Sequence, residues 1–233
     1  MGLAKKLKRK TKVGATKIEK KELTTAAKAS REAEYIFKLN ERRIRDMSRC
    51  RIMPAIAYVL RRKFKWGATL LSRLSRKYEE FVEKYIVAGY RDHRTYITIP
   101  WLQEGLRKEC KFNYIIPNRM PAPADVRDAR ALVATKAGNY SIMAYEFIET
   151  VWLWVLHVDF GFGGKRIKEC VEELRAIGPL NMPMKMLYHM MDEIESSKGK
   201  SGETIAFASI RKTLKKLDIE NDDFSHGLVM LQA

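Results

Sequence analysis

Tyr58-Val-Leu-Arg-Arg-Lys-Phe-Lys-Trp-Gly67 falls on Trp154-Val-Leu-His-Val-Asp-Phe-Gly-Phe-Gly163 when the chain is shifted by 96 residues. Val59/Val155, Leu60/Leu156, Phe64/Phe160 and Gly67/Gly163 are identical, and Tyr58/Trp154 and Trp66/Phe162 are aromatic in both. The agreement continues as spacing. Leu71, Leu74, Tyr78 and Phe81 overlie Ile167, Cys170, Leu174 and Ile177, at i, i+3, i+7 and i+10, which is one stripe of a helix. The unit read from this pattern is helix, aromatic–glycine turn, helix. The glycine is expected to take the positive φ that ends the first helix, and the aromatics to plug the corner between the two crossed helices.

The outer faces of the two copies differ. Copy one shows Thr69, Ser72, Arg73, Ser75, Arg76 and Lys77, the kind of face that a helix-turn-helix lays on phosphates and base edges. Copy two carries Lys165, Arg166 and Lys168, followed by Glu169, Glu172 and Glu173. Carboxylates there repel a phosphate backbone, so copy one is the candidate reader and copy two a scaffold or a protein-contact surface.

Outward from the copies, residues 1–21 are Lys-rich and poor in large apolar side chains, and read as a disordered basic arm. A basic helical region spans 22–90 and contains the first copy. Its Tyr35, Ile36, Leu39 and Ile44 form an expected buried side, and Pro54 is an expected helix start. Residues 91–123 read as an irregular linker, in which Thr95-Tyr-Ile-Thr-Ile99 and Phe112-Asn-Tyr-Ile-Ile116 are the two strands of a small β-hairpin. Residues 124–233 form a helical region with the second copy. The fold class expected is mainly α: two helix–turn–helix-like repeats, the small hairpin between them and the disordered arm.

Charge is as unevenly spread as the pattern is repeated. The net charge is +17, and residues 1–85 hold 25 Lys/Arg against 9 Asp/Glu, a net +16. Residues 86–233 hold 20 against 19. A positive field concentrated in one third attracts polyanions. Cations expected to meet phosphate are Lys5, Lys6, Lys8, Arg9, Lys10 and Lys12 in the arm, then Arg42, Arg43, Arg45 and Arg49. Arg61, Arg62, Lys63 and Lys65 precede the turn, and Arg73, Arg76 and Lys77 follow it as candidate readers.

Cys50, Cys110 and Cys170 are odd in number and widely spaced, without a CxxC or Cys/His cluster, so buried reduced thiols and a cytoplasmic setting are expected. The basic start is not followed by the apolar run of a secretory signal, and the longest apolar run, Val151 to Leu156, is too short to span a bilayer. Catalytic motifs are fragmentary. Asp159-Phe-Gly161 stands without the other kinase signatures, and Gly161-Phe-Gly-Gly-Lys165 breaks the phosphate-loop spacing. His157 and Asp159, at i and i+2, do not share a helix face for metal binding. No metal, cofactor or catalytic residue is therefore assigned. The run Met182-Pro-Met-Lys-Met-Leu-Tyr-His-Met-Met191 reads most simply as a core helix; its alternative is a protein-docking surface made of Met182, Met184, Met186, Met190 and Met191.

Val155-Leu-His-Val-Asp-Phe-Gly-Phe-Gly-Gly-Lys-Arg-Ile167 resembles a segment of uncharacterised proteins of phages and mobile elements of Gram-positive bacteria. The resemblance implies a phage or plasmid setting in a bacterial cytoplasm, and carries no activity or site residue with it. The function expected is a non-enzymatic nucleic-acid-binding protein, DNA or RNA, with a regulatory or accessory role. Its rivals are an interaction protein that inhibits a host nucleoprotein complex, such as a CRISPR nuclease–guide complex or a polymerase, and a metal-dependent nuclease. Membrane-surface binding is disfavoured, since Ala26, Ala27, Ala29 and Ala33 insert poorly.

Overall fold

The stripe Leu71, Leu74 and Tyr78 is buried on a helix of 14 residues, and the stripe Ile167, Cys170 and Leu174 is buried on another of the same length. They belong to a mainly helical chain, seen here in a computed structural model. It describes the backbone of residues 3–87, 97–196, 207 and 209–216, and the side chains of those from residue 24 onward. The helices are α1 (Leu3–Phe64), α2 (Ala68–Phe81), α3 (Ile99–Cys110), α4 (Ala129–Phe160), α5 (Gly164–Ile177), α6 (Met184–Ser196) and α7 (209–216). A π-helical turn, Val82–Val87, continues α2, and a 3₁₀ turn, Pro179–Asn181, precedes α6. No described helix is long and apolar enough to cross a membrane.

The chain forms two compact units: Met1–Arg42 with Arg119–Tyr140 and Asp223–Ala233, and Arg43–Asn118 with Ser141–Asp222. In the first, residues 24–42 of α1 meet residues 119–140. Ala33 is wholly buried and Ala29 nearly so. Lys136 donates to Glu34, the Tyr140 hydroxyl donates to Glu41 over 3.1 Å, and Phe37 meets Tyr140 edge-on at 5.5 Å. Asn139 holds the incoming loop with both ends of its amide, accepting from the Met120 N–H and donating to the Met120 carbonyl.

Three expectations for α1 are corrected. The buried side is the alanine stripe with half-buried Ile36 and Phe37, while Tyr35 and Leu39 are 65% and 66% exposed. Small side chains let two backbones approach, so the larger Tyr35 and Leu39 take the outer face. Pro54 lies inside α1 and does not start it. An internal proline costs about 3 kcal/mol. Burial of Ile52, Met53, Ala55, Ile56 and Ala57 around it offsets that. Finally, α1 begins at Leu3, so the stretch read as a disordered arm is helical from residue 3. Its Ala, Leu, Lys and Glu favour helix, and the one glycine, Gly14, costs only about 1 kcal/mol.

The second unit holds the main core, with Leu60, Leu74, Leu102, Leu106, Val151, Val155, Leu156, Ile167, Leu187 and Met191 at or near zero exposure. The hairpin expected in 91–123 is corrected, because the described residues contain no strand. Thr95 and Tyr96 lie outside the described residues, and Ile99 opens α3. The Thr98 hydroxyl accepts from the Trp101 N–H at 3.3 Å and Pro100 sits in the first turn, so Thr-Ile-Pro acts as a helix start. Phe112-Asn-Tyr-Ile-Ile116 is extended and anchored through side chains. The Tyr114 hydroxyl donates to Glu149, and Arg175 donates to the Ile115 carbonyl at 2.8 Å.

Candidate nucleic-acid interface

The basic groups around the turn are positioned by two corners, α1–α2 and α4–α5, whose backbones match residue by residue. The Trp66 N–H donates to the Leu60 carbonyl at 3.3 Å, and the Phe162 N–H donates to the Leu156 carbonyl at 3.0 Å. Lys65 and Gly161 hold the left-handed conformation, at φ +59° and +65°. Gly67 and Gly163, expected to end the preceding helix through a positive φ, instead cap the following helices with φ, ψ of −85°, 173° and −78°, 171°, and the left-handed turn falls two residues earlier. Even the side chains agree, since Arg61 and His157 both reach the carbonyl of the corner aromatic, Trp66 and Phe162, at 3.0 Å.

The corners also pack on each other reciprocally. Phe64 meets Phe162 and Trp66 meets Phe160, each at 5.0 Å between ring centroids. The flanking ion pairs share that symmetry with the charges exchanged. Lys63 pairs with Glu173 at 2.9 Å, and Lys77 pairs with Asp159 at 3.7 Å. In the shift of 96 residues, Lys63 corresponds to Asp159 and Lys77 to Glu173.

This packing decides how accessible the expected cations are. The side chains of Lys5, Lys6, Lys8, Arg9, Lys10 and Lys12 lie outside the described residues. Arg61 is spent on the corner. Arg62 bonds the Tyr58 hydroxyl and faces Glu193 at 3.8 Å. The hydrogen bond from Lys63 to Glu173 raises the pKa of its ammonium and holds it charged. Arg73 lies over the Phe160 ring at 5.3 Å, and Arg76 and Lys77 both face Glu80. Lys65, at the tip of the corner, is exposed and forms no ion pair among the described residues.

Arg49 faces Glu79 at 3.7 Å, and both line a cavity of about 430 Å³ with Asp46, Cys50 and Trp152. Arg45 is exposed beside Asp46, Arg42 is exposed and Arg43 half-buried. Exposed pairs at these distances stabilise by less than about 1 kcal/mol. They leave the cations exchangeable with phosphate, but α2 is less open than its sequence alone implies.

The more open basic face belongs to α1 in the first unit. Lys28, Arg31, Tyr35, Lys38, Leu39 and Arg42 are all exposed, at the 3–4 spacing that places them on one face. Of the nearby carboxylates, Glu34 takes Lys136 and also faces Lys38 of the stripe at 3.8 Å, Glu41 takes Tyr140, and Glu32 stays exposed next to the stripe. Lys28 and Arg31 were not singled out in the sequence; their signal is that they stand with Lys38 at i, i+3 and i+10, opposite Ala29 and Ala33.

Of the methionines offered for docking, Met182, Met190 and Met191 are in the core, Met184 is half-buried and Met186 is exposed. His157 uses Nδ1 on the Phe162 carbonyl and Nε2 on Glu109, while Asp159 faces Lys77, so the two serve separate contacts. Among the described residues no group of three or more His, Cys, Asp or Glu could hold a metal ion. A polar cluster not foreseen lies in the second unit. Glu149, 1% exposed, accepts from the Tyr114 and Tyr145 hydroxyls and faces Arg175 at 3.6 Å. Burial pushes its carboxyl pKa up, against the pull of those three partners. No protein-family model, curated protein or solved structure matches the chain.

Proposed function

We propose that this protein is a non-enzymatic nucleic-acid-binding protein that holds phosphate against the outer face of α1. The observation that carries the proposal is the exposed stripe Lys28, Arg31, Lys38 and Arg42, on a helix that bears 20 Lys/Arg against 6 Asp/Glu. Each cation that meets a phosphate releases a condensed counterion, which gives affinity without sequence preference. Arg45, Arg49, Lys65, Arg73, Arg76 and Lys77 have an accessory part, since most of them already face a carboxylate or a ring. The common hydrogen bonding of the two corners supports reading them as one helix–turn–helix-like unit used twice, with the first copy turned to nucleic acid. The resemblance of Val155–Ile167 to a segment of phage and mobile-element proteins suits a regulatory or accessory role in a bacterial cytoplasm.

The test is the salt dependence of binding by the variant Lys28→Gln/Arg31→Gln/Lys38→Gln/Arg42→Gln. Its log–log slope should be shallower than wild type by about 3.6 on duplex DNA, at roughly 0.9 for each of four phosphate contacts. Arg73→Glu/Arg76→Glu should weaken binding less. A slope unchanged in the fourfold variant removes α1 from the interface.

A further inference from the structure

Tyr35 is the aromatic that the basic third of the chain does not use for itself. Phe37 packs on Tyr140, Phe64 and Trp66 fill the corner, and Tyr78 stacks on Trp152 at 5.3 Å. Tyr58 holds Arg62, and Phe81 packs on Tyr85. Tyr35 is 65% exposed and has neither a ring partner nor a hydrogen bond among the described residues. Leu39, one turn on and 66% exposed, lies beside it. Cations flank the pair along the same face, Arg31 one turn before Tyr35 and Lys38 one turn after it. Lys28 and Arg42 stand seven residues to either side, about 10.5 Å along the axis.

We infer that this face binds nucleic acid with unpaired bases, Tyr35 stacking on a base while Arg31, Lys38 and their neighbours hold the adjoining phosphates. The inference rests on the nucleic-acid reading above and narrows its ligand. In a duplex the base faces are covered by their neighbours, and a side chain in a groove meets only edges. A tyrosine ring finds a free π-face only on a single strand, a loop or a bulge. Charge alone would be served as well by a Lys or Ala at position 35, both better helix formers than Tyr. Leu39 extends the apolar floor on which the base and its sugar rest.

The experiment compares wild type, Tyr35→Ala and Tyr35→Phe in the full chain. Fluorescence anisotropy is read with a short mixed-sequence single strand, its blunt duplex and an abasic single strand of equal length. Tyr35→Ala should lose about ten-fold or more on the single strand and almost nothing on the other two, because base–aromatic stacking is what it removes. Tyr35→Phe should retain wild-type affinity for all three. An unchanged single-strand affinity in Tyr35→Ala overturns the inference, as does an equal loss on all three ligands. Phosphatidylserine vesicles supply the remaining arm. Vesicle binding that Tyr35→Ala abolishes, with oligonucleotide binding intact, assigns the face to lipid and overturns it too. Wild type that binds none of the oligonucleotides refutes the nucleic-acid reading itself. Duplex binding with an indifferent Tyr35→Ala refutes only the unpaired-base specificity.

Discussion

Gly164 opens α5 where α5 meets the end of α3, and the substitution Gly164→Ala probes that junction sharply. A Cβ on residue 164 would stand 1.9 Å from the Cys110 carbonyl oxygen and 3.1 Å from its carbon. The obstruction is backbone at the end of a helix, so it cannot rotate away as a side chain can. One of the two helices must move by more than 1 Å to reach normal contact, about 3.2 Å or more. Overpacking costs about 1–3 kcal/mol, and a rigid obstacle puts this case at the upper end. Alanine returns about 1 kcal/mol of helix propensity, leaving a net loss near 2 kcal/mol. For a chain of this size that lowers Tm by roughly 4–8 °C, read by far-UV circular dichroism. The matching residue in the first corner is Ala68, 3% exposed, where Ala68→Gly should also destabilise by removing a buried methyl. A Gly164→Ala protein that melts within about 1 °C of wild type would refute the close approach of α3 and α5.

Glu149→Ala should destabilise more than Glu149→Gln in urea melts, because it leaves two tyrosine hydroxyls without an acceptor, at about 1–3 kcal/mol each. The Tyr78 phenol is pushed from 10.0 up to about 12 by burial, and those of Tyr114 and Tyr145 are raised as well. A raised folded pKa favours the folded state below the unfolded value and loses that advantage above it, so stability should fall as pH climbs from about 10 to about 12, with phenolate absorbance as the readout. Burial raises the Cys50 thiol to about 11 and Cys170 to about 12, and raises Cys110 too; a thiol reagent at neutral pH should therefore react with all three only after unfolding.

What was legible in the sequence was what recurs. The corner at Gly67 and the corner at Gly163 were readable because aromatics and apolar stripe repeat together, but the use of the glycine was misread: it caps the second helix, while the left-handed residue is Lys65 in one corner and Gly161 in the other. The Thr-Ile-Pro stretch misled because β-branched residues before a proline suit a strand as well as a helix cap, and only the bond from Trp101 to Thr98 separates the two. Pro54 misled for a related reason. Proline is most at home in a first turn, and its tolerance inside α1 comes from packing that involves distant residues. Tyr35 and Leu39 were assigned to a buried side because they are large and apolar, although Ala29 and Ala33 satisfy the same period and allow closer helix contact. The ion pairs of Lys63, Lys77 and Arg62 join positions far apart in the chain, so no local pattern announces them. Glu149 did leave a trace: a carboxylate beside the run Thr150-Val-Trp-Leu-Trp154 needs buried partners, but the sequence does not say which.

The central claim, that the basic third meets nucleic acid, is tested most directly by titrating nuclease-treated wild-type protein against duplex DNA, single-stranded DNA and structured RNA over a range of salt. Tight binding at low salt with a steep negative log–log slope is expected, strongest for ligands with unpaired bases. Absence of binding to all three at low salt would contradict it.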